Sequence, residues 1–234
     1  MQPPAHTPFP QTLPPQIQPL QTVEVETGAR PDGCVIWLHG LGADGHDFEP
    51  IAEELSGGRS LRFVFPHAPV RPVTINGGAQ MRAWYDILGL DREAVQDEGG
   101  VRASDAAIRE LIGREVERGI DSERIVLAGF SQGGAMALFC GVRYPRRLAA
   151  IIGLSCYLLL APSLQAERDA ANRATPILLA HGAYDPMIDL RFGESSRSLL
   201  EAAGHAVEWH RYAMGHEVCG EEIAAIAAFL KRVL

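Results

Sequence analysis

Ser131 lies between two glycines in Gly129-Phe130-Ser131-Gln132-Gly133. A serine in that spacing can be held on a sharp turn with its hydroxyl outward, as a nucleophile would be. The glycines remove the Cβ atoms that would collide in such a turn. The preceding stretch, Arg124 to Ala128, has the apolar run of a buried strand, and Gln132 to Val142 continues as an apolar helix. G-x-S-x-G recurs by chance, and its bland reading is a Gly-Ser turn. The strand-turn-helix context raises the chemical reading.

A serine hydroxyl is a weak nucleophile at neutral pH and needs a base, itself oriented by a third group. In an α/β sheet such groups gather beyond the carboxyl ends of the strands. In hydrolases that use this turn, the acid and then the histidine follow the serine along the chain. Of the eight histidines, His6 lies in a proline-rich arm. His39, His46, His67 and His181 come too early or precede the candidate acid. His205 sits before the Ala206–Tyr212 strand, at the wrong end of a sheet, and His210 lies within it. His216, in the turn Met214-Gly215-His216-Glu217, stands where the base belongs. The acid should follow the Pro176–Ala180 strand, where Asp185 and Asp189 both qualify. Asp185 is nearer the strand end and takes the catalytic assignment. Asp189 precedes a helix and reads as its N-cap.

A tetrahedral oxyanion needs two aimed N–H donors. The Gln132 amide, at a helix N-terminus, is one candidate. The other is the Leu41 amide, in His39-Gly40-Leu41-Gly42-Ala43-Asp44-Gly45 after an earlier buried strand. This glycine run lacks the spacing and the following Lys-Ser/Thr of a phosphate loop.

The elements that must position these groups alternate strand and helix from residue 22 to 234. Strands are expected at Val23–Glu26, Cys34–Leu38, Leu61–Phe65, Arg124–Ala128, Leu148–Leu154, Pro176–Ala180 and Ala206–Tyr212. Helices are expected at Phe48–Leu55, Val101–Val116, Gln132–Val142, Leu190–Ala203 and Glu217–Leu234. The rhythm predicts one α/β domain, a mainly parallel sheet with helices on both faces. Residues 66–97 read as a long irregular loop. Such loops are often functional, and Ile75, Trp84, Ile87 and Leu88 are candidates for an acyl pocket. The alternative is that Trp84 and Ile87 anchor the loop to the core. Residues 1–21, rich in proline and glutamine, read as a disordered arm that cannot build a core.

The 234 residues are 47% hydrophobic and 21% charged, with formal net charge −8. With no basic run, nucleic acid and anionic membranes are poor partners. Four cysteines without C-x-x-C spacing point to free thiols in a reducing, cytoplasmic setting rather than to zinc. No apolar stretch reaches transmembrane length.

The segments Leu38-His39-Gly40-Leu41-Gly42-Ala43-Asp44-Gly45, Gly129-Phe130-Ser131-Gln132-Gly133-Gly134-Ala135 and Met214-Gly215-His216-Glu217 together resemble the acyl-protein thioesterase/carboxylesterase family of α/β-hydrolases. Ile75-Asn76-Gly77-Gly78 with Trp84-Tyr85-Asp86 looks like its bacterial carboxylesterase branch. The likeness spans roughly residues 30–234. It implies an α/β-hydrolase fold, a Ser131–Asp185–His216 triad, an oxyanion hole from the Leu41 and Gln132 amides, and no metal or other cofactor. The implied substrates are small carboxylic esters or acyl-thioesters, or an acylated protein, and a homodimer is compatible with it. Met81-Arg82-Ala83-Trp84 departs from the Met-Pro-Ser-Trp of that branch. Two rival readings are an amidase or peptidase with the same triad, and a non-catalytic binding protein on this fold.

Overall fold

The computed structural model describes residues 19–89 and 95–234. Its centre is a seven-stranded sheet in the order β1-β3-β2-β6-β7-β8-β9. The strands are β1 (Thr22–Glu26), β2 (Gly33–Leu38), β3 (Leu61–Pro66), β6 (Ile125–Phe130), β7 (Ala150–Leu154), β8 (Ile177–Gly182) and β9 (Val207–Tyr212). All neighbouring pairs are parallel except β1 with β3. A separate antiparallel hairpin joins β4 (Val70–Val73) to β5 (Ala79–Arg82). The helices are α1 (Ala52–Ser56), α2 (Glu98–Glu117), α3 (Gln132–Gly141), α4 (Leu164–Glu167), α5 (Leu190–Ala202) and α6 (Gly220–Val233).

Strand alternation sorts the core into two layers. Cys34, Ile36 and Leu38 of β2 join Leu127, Ile151 and Leu179 against α2 and α3. Val35 and Trp37 of the same strand join Phe63, Phe65, Val126 and Ile152 against α1 and α6. Both faces are covered, which is why these strands are nearly continuous apolar runs. The chain reverses its direction across the sheet at β2, whose neighbours are β3 and β6. The crevice at such a switch point is where α/β sheets place ligands.

Three local expectations change. The helix expected over Phe48–Leu55 is a 3-10 turn at Glu49–Ile51 followed by the single-turn α1. Pro50 lies in that 3-10 turn and left-handed Gly57 ends α1. The 66–97 loop contains the β4–β5 hairpin, with Pro72 on one strand. Most of the expected arm, residues 1–18, lies outside the described residues, as do residues 90–94 of the loop. Leu20 packs against the core and the Gln21 carbonyl accepts from His67 N at 2.8 Å, so ordered contacts begin before residue 22.

Candidate active site

Ser131 occupies the turn between β6 and α3 with φ 55° and ψ −121°. Non-glycine residues rarely adopt this conformation, and strain of this kind collects at functional sites. The surroundings enforce it. Ser131 N donates to Leu154 O at 2.8 Å, and Ser131 O accepts from Ala135 N at 3.0 Å in the first turn of α3. A Cβ on Gly129 would overlap the Gly133 backbone, and one on Gly133 would overlap the Leu38 carbonyl. The glycines therefore let β6, α3 and the end of β2 converge on one point.

His216 lies in the turn between β9 and α6. Its Nδ1 is 2.7 Å from Asp185 Oδ2 and its Nε2 is 2.9 Å from Ser131 Oγ. A carboxylate can only accept, so Nδ1 carries the proton and Nε2 is free to accept from the serine hydroxyl. Asp185 follows β8 with its side chain fully buried. Its other oxygen accepts from the amides of Met187 and Ile188 at 2.9 and 2.8 Å. Hydrogen bonds from Ala183 N to Tyr212 O and from Tyr184 N to Met214 O tie the two loops together. A Cβ at Gly182 would overlap the Gly215 carbonyl, so that glycine permits the close passage. The ring of Phe130 lies 4.8 Å from that of His216 and backs the imidazole. Asp189 sits apart from this relay, accepting from Arg191 N at 2.9 Å as the N-cap of α5.

The Leu41 loop runs beside the serine. A Cβ at Gly40 would lie 3.4 Å from the Cβ of Ser131. Gly42, with φ 79°, donates from its amide to Arg82 O at 2.9 Å, which pins the loop to β5. Arg82, the departure noted above, also donates from Nη1 to Ala68 O at 3.0 Å. Among the described residues the Leu41 and Gln132 amides donate to no protein group. Both N–H groups are thus unspent within the protein, and that of Gln132 lies at the positive end of α3.

Sequence reasoning missed two supports. The Gln132 side chain accepts from Trp84 N at 2.8 Å and donates to Tyr85 O at 2.8 Å, clamping the loop after β5 onto the turn. His39 accepts from Ala68 N at Nε2, 3.0 Å, and donates from Nδ1 to Gly40 O at 2.7 Å. Burial pushes its pKa down to about 4, so it is a neutral brace for the loop. Its position at the end of a buried strand was the available signal.

A cavity of about 540 Å³ is lined by none of Ser131, Asp185 and His216 but by neighbours that contact Asp185 and Gln132. Met187 and Ile188 line it, and their amides hold Asp185. Tyr85, whose carbonyl Gln132 holds, lines it too. Ile87 and Leu88 lie on its wall. Ile75 and Trp84 do not line it. Ile75 pairs its amide with Ile87 O at 3.1 Å. Trp84 is 0% exposed and donates from Nε1 to His39 O at 2.9 Å, anchoring the loop as the alternative reading had it. The opposite wall, including Tyr157, Leu158 and Phe192, comes from segments after β7 and β8. The apolar run Tyr157-Leu158-Leu159-Leu160, at the same sheet end as Ser131, was the signal for it.

The model of the family described as phospholipase/carboxylesterase matches residues 20–234. The acyl-protein thioesterase 1 of Neurospora crassa is 41% identical over 213 residues, covering 86% of this chain and 87% of that protein. The corresponding protein of Gibberella zeae is 38% identical over 211 residues, covering 86% and 90%. Among solved structures, Zea mays acyl-protein thioesterase 2 superimposes with a TM-score of 0.82 at 29% identity, covering 91% of this chain and 98% of that one. No helix among the described residues is long and apolar enough to cross a membrane. The fold, the matched length and these identities agree: the chain belongs to the phospholipase/carboxylesterase family of α/β-hydrolases and is an ester or thioester hydrolase.

Proposed function

We propose that the chain hydrolyses carboxylic esters and acyl-thioesters, including acyl groups carried on proteins, through a covalent acyl-enzyme on Ser131. The observation that carries this reading is the pair of contacts made by His216, 2.9 Å to Ser131 Oγ and 2.7 Å to Asp185 Oδ2. Ser131 Oγ attacks the acyl carbon as its proton passes to His216 Nε2. The resulting oxyanion accepts from the Leu41 and Gln132 amides. Collapse expels the alcohol or thiol, which takes the proton from His216. Water then attacks the acyl-enzyme, losing its proton to the same nitrogen, and the carboxylic acid leaves as Ser131 is reprotonated. Asp185 keeps the imidazole in the useful tautomer and stabilises its charged form. The cavity walled by Ile87, Leu88, Leu158 and Ile188 receives the acyl chain.

Covalent labelling by a fluorophosphonate tests the nucleophile. Labelling of the wild type and its loss in Ser131→Ala is the expected result, and undiminished labelling of that variant overturns the reading. Kinetics on p-nitrophenyl esters and acyl-thioesters of graded length test the cavity. Each buried methylene contributes about 0.8 kcal/mol, so kcat/KM should rise severalfold per carbon until the wall is reached. A matched amide, turned over as fast as its ester, would favour an amidase instead.

A further inference from the structure

The oxyanion of the proposed reaction is held by two amides on different loops, Leu41 after β2 and Gln132 at the start of α3. Two donors serve one oxygen only when their spacing is held to within about 0.5 Å. Among the described residues no hydrogen bond runs directly between residues 40–43 and residues 131–133. The connection goes instead through a third piece of chain, residues 82–85, at and just after the end of β5.

That piece is tied to both loops. On one side, Arg82 O accepts from Gly42 N at 2.9 Å and Trp84 Nε1 donates to His39 O at 2.9 Å, so the two ties bracket Leu41. On the other side, the Gln132 carboxamide accepts from Trp84 N and donates to Tyr85 O, each at 2.8 Å. Gln132 is 2% exposed and Trp84 0%. The piece is itself anchored away from the serine. Ser104 Oγ of α2 donates to Trp84 O, and Ala83 N donates to Pro69 O at 3.0 Å. A carboxamide is the group this junction needs, with an acceptor for the Trp84 N–H and a donor for the Tyr85 carbonyl. An apolar side chain of the same length would leave both peptide groups buried and unpaired.

We propose, resting on the acyl-enzyme reading above, that the Gln132 carboxamide and the Trp84 indole form a strut that sets the separation of the Leu41 and Gln132 amides. Both are positioning residues for the oxyanion and act through the backbone donors. Gln132 then serves twice, by its amide on the oxyanion and by its side chain on the spacing. A strut of this kind matters most when the carbonyl oxygen becomes an anion. Its loss therefore falls on kcat and spares KM.

The test uses the full chain and a p-nitrophenyl ester. Gln132→Met keeps the side-chain length and removes both bonds. Trp84→Phe keeps an aromatic ring and removes the indole N–H. Each should lower kcat about ten- to a hundredfold with KM little changed, since a misplacement of about 1 Å can cost about 10²-fold. Affinity for a trifluoromethyl ketone, which forms a tetrahedral adduct on the serine, should fall by the same factor as kcat. The double variant should lose little more than the worse single, because both changes cut one connection. Circular dichroism checks the fold. If either variant fails to fold, an ester oxygen in place of the Gly42 N–H cuts the tie to Arg82 O with every side chain intact, and it too should lower kcat alone. Wild-type kcat in a folded variant, a loss confined to KM, or losses that multiply in the double variant overturns the strut. Fluorophosphonate labelling of the wild type is measured alongside. If labelling is absent, the acyl-enzyme reading fails and takes the strut with it. If labelling is lost in Ser131→Ala while kcat stays unmoved in Gln132→Met and Trp84→Phe, the strut alone fails.

Discussion

Strand β9 has a histidine at each end, and the fold treats the two oppositely. In the turn after the strand, His216 has both ring nitrogens engaged, by Asp185 and by Ser131. Just before the strand, His205 is buried, and its ring nitrogens meet neither a carboxylate nor a hydroxyl. The carboxyl groups divide in the same way. Asp185 is buried and met by His216 and two amides. Glu222, two residues into α6, is buried and, among the described residues, pairs with no cation. Burial alone thus prepares no chemistry. A side chain becomes useful when its partners select one tautomer and one orientation.

The comparison breaks first at the relay. Ser131→Ala should lower kcat for a p-nitrophenyl ester by about 10⁶-fold, the scale seen when a triad nucleophile is removed. Circular dichroism should be unchanged. Asp185→Asn should cost about 10⁴-fold, because an amide in that place favours the wrong imidazole tautomer. Asp189→Asn is the control: Asn also caps helices, so activity and stability should stay close to wild type. If the two asparagine variants lost activity equally, the division of roles between these aspartates would fail.

Glu222 tests the unpartnered side. Burial raises its pKa to about 8 from 4.5, with the Cys219 backbone opposing weakly. The folded state then holds a proton that the unfolded state has released between those two values. Stability is greatest below the unfolded pKa, falls as pH rises toward 8, and levels off above it. The full shift corresponds to about 5 kcal/mol, an upper bound. Urea unfolding from pH 4.5 to 9 should show this decline in the wild type and a flatter profile in Glu222→Gln. Parallel profiles would mean that Glu222 is ionised when folded.

The relay could be read from the sequence because chain order and strand polarity act on single residues. Gly129, Ser131 and Gly133 mark one turn, and His216 and Asp185 follow the right strands. The cavity was only half legible. Its wall needs side chains from the segments after β5, β7 and β8 to meet, and no local pattern encodes that meeting. The β4–β5 hairpin was hidden for another reason. Val70-Arg71-Pro72-Val73 and Ala79-Gln80-Met81-Arg82 lack clean apolar alternation, and Pro72 reads as a breaker although edge strands tolerate it. Trp84 stayed undecided because a large apolar residue in a loop suits a pocket wall and a core anchor equally. Only its fully buried ring and its bond to His39 decide between them.

The oxyanion donors sharpen the comparison at the level of the backbone. Replacing the Leu41 N–H by an ester oxygen, through incorporation of the α-hydroxy acid, deletes one donor and keeps the side chain. Turnover should fall about 10²–10³-fold. KM should change little, because this bond strengthens as the oxyanion forms. A loss confined to KM would instead make the Leu41 amide a ground-state contact.

The smallest effect belongs to His205. Truncating one member of a matched pair strands its partner, whereas a group with no partner strands nothing. His205→Leu should therefore leave esterase activity unchanged and alter stability by no more than about 1 kcal/mol, with apolar replacement being near neutral. His216→Leu, by contrast, leaves Asp185 buried without its imidazole and should silence the enzyme. If His205→Leu destabilised the protein by several kcal/mol, the ring would instead be an integral part of the packing.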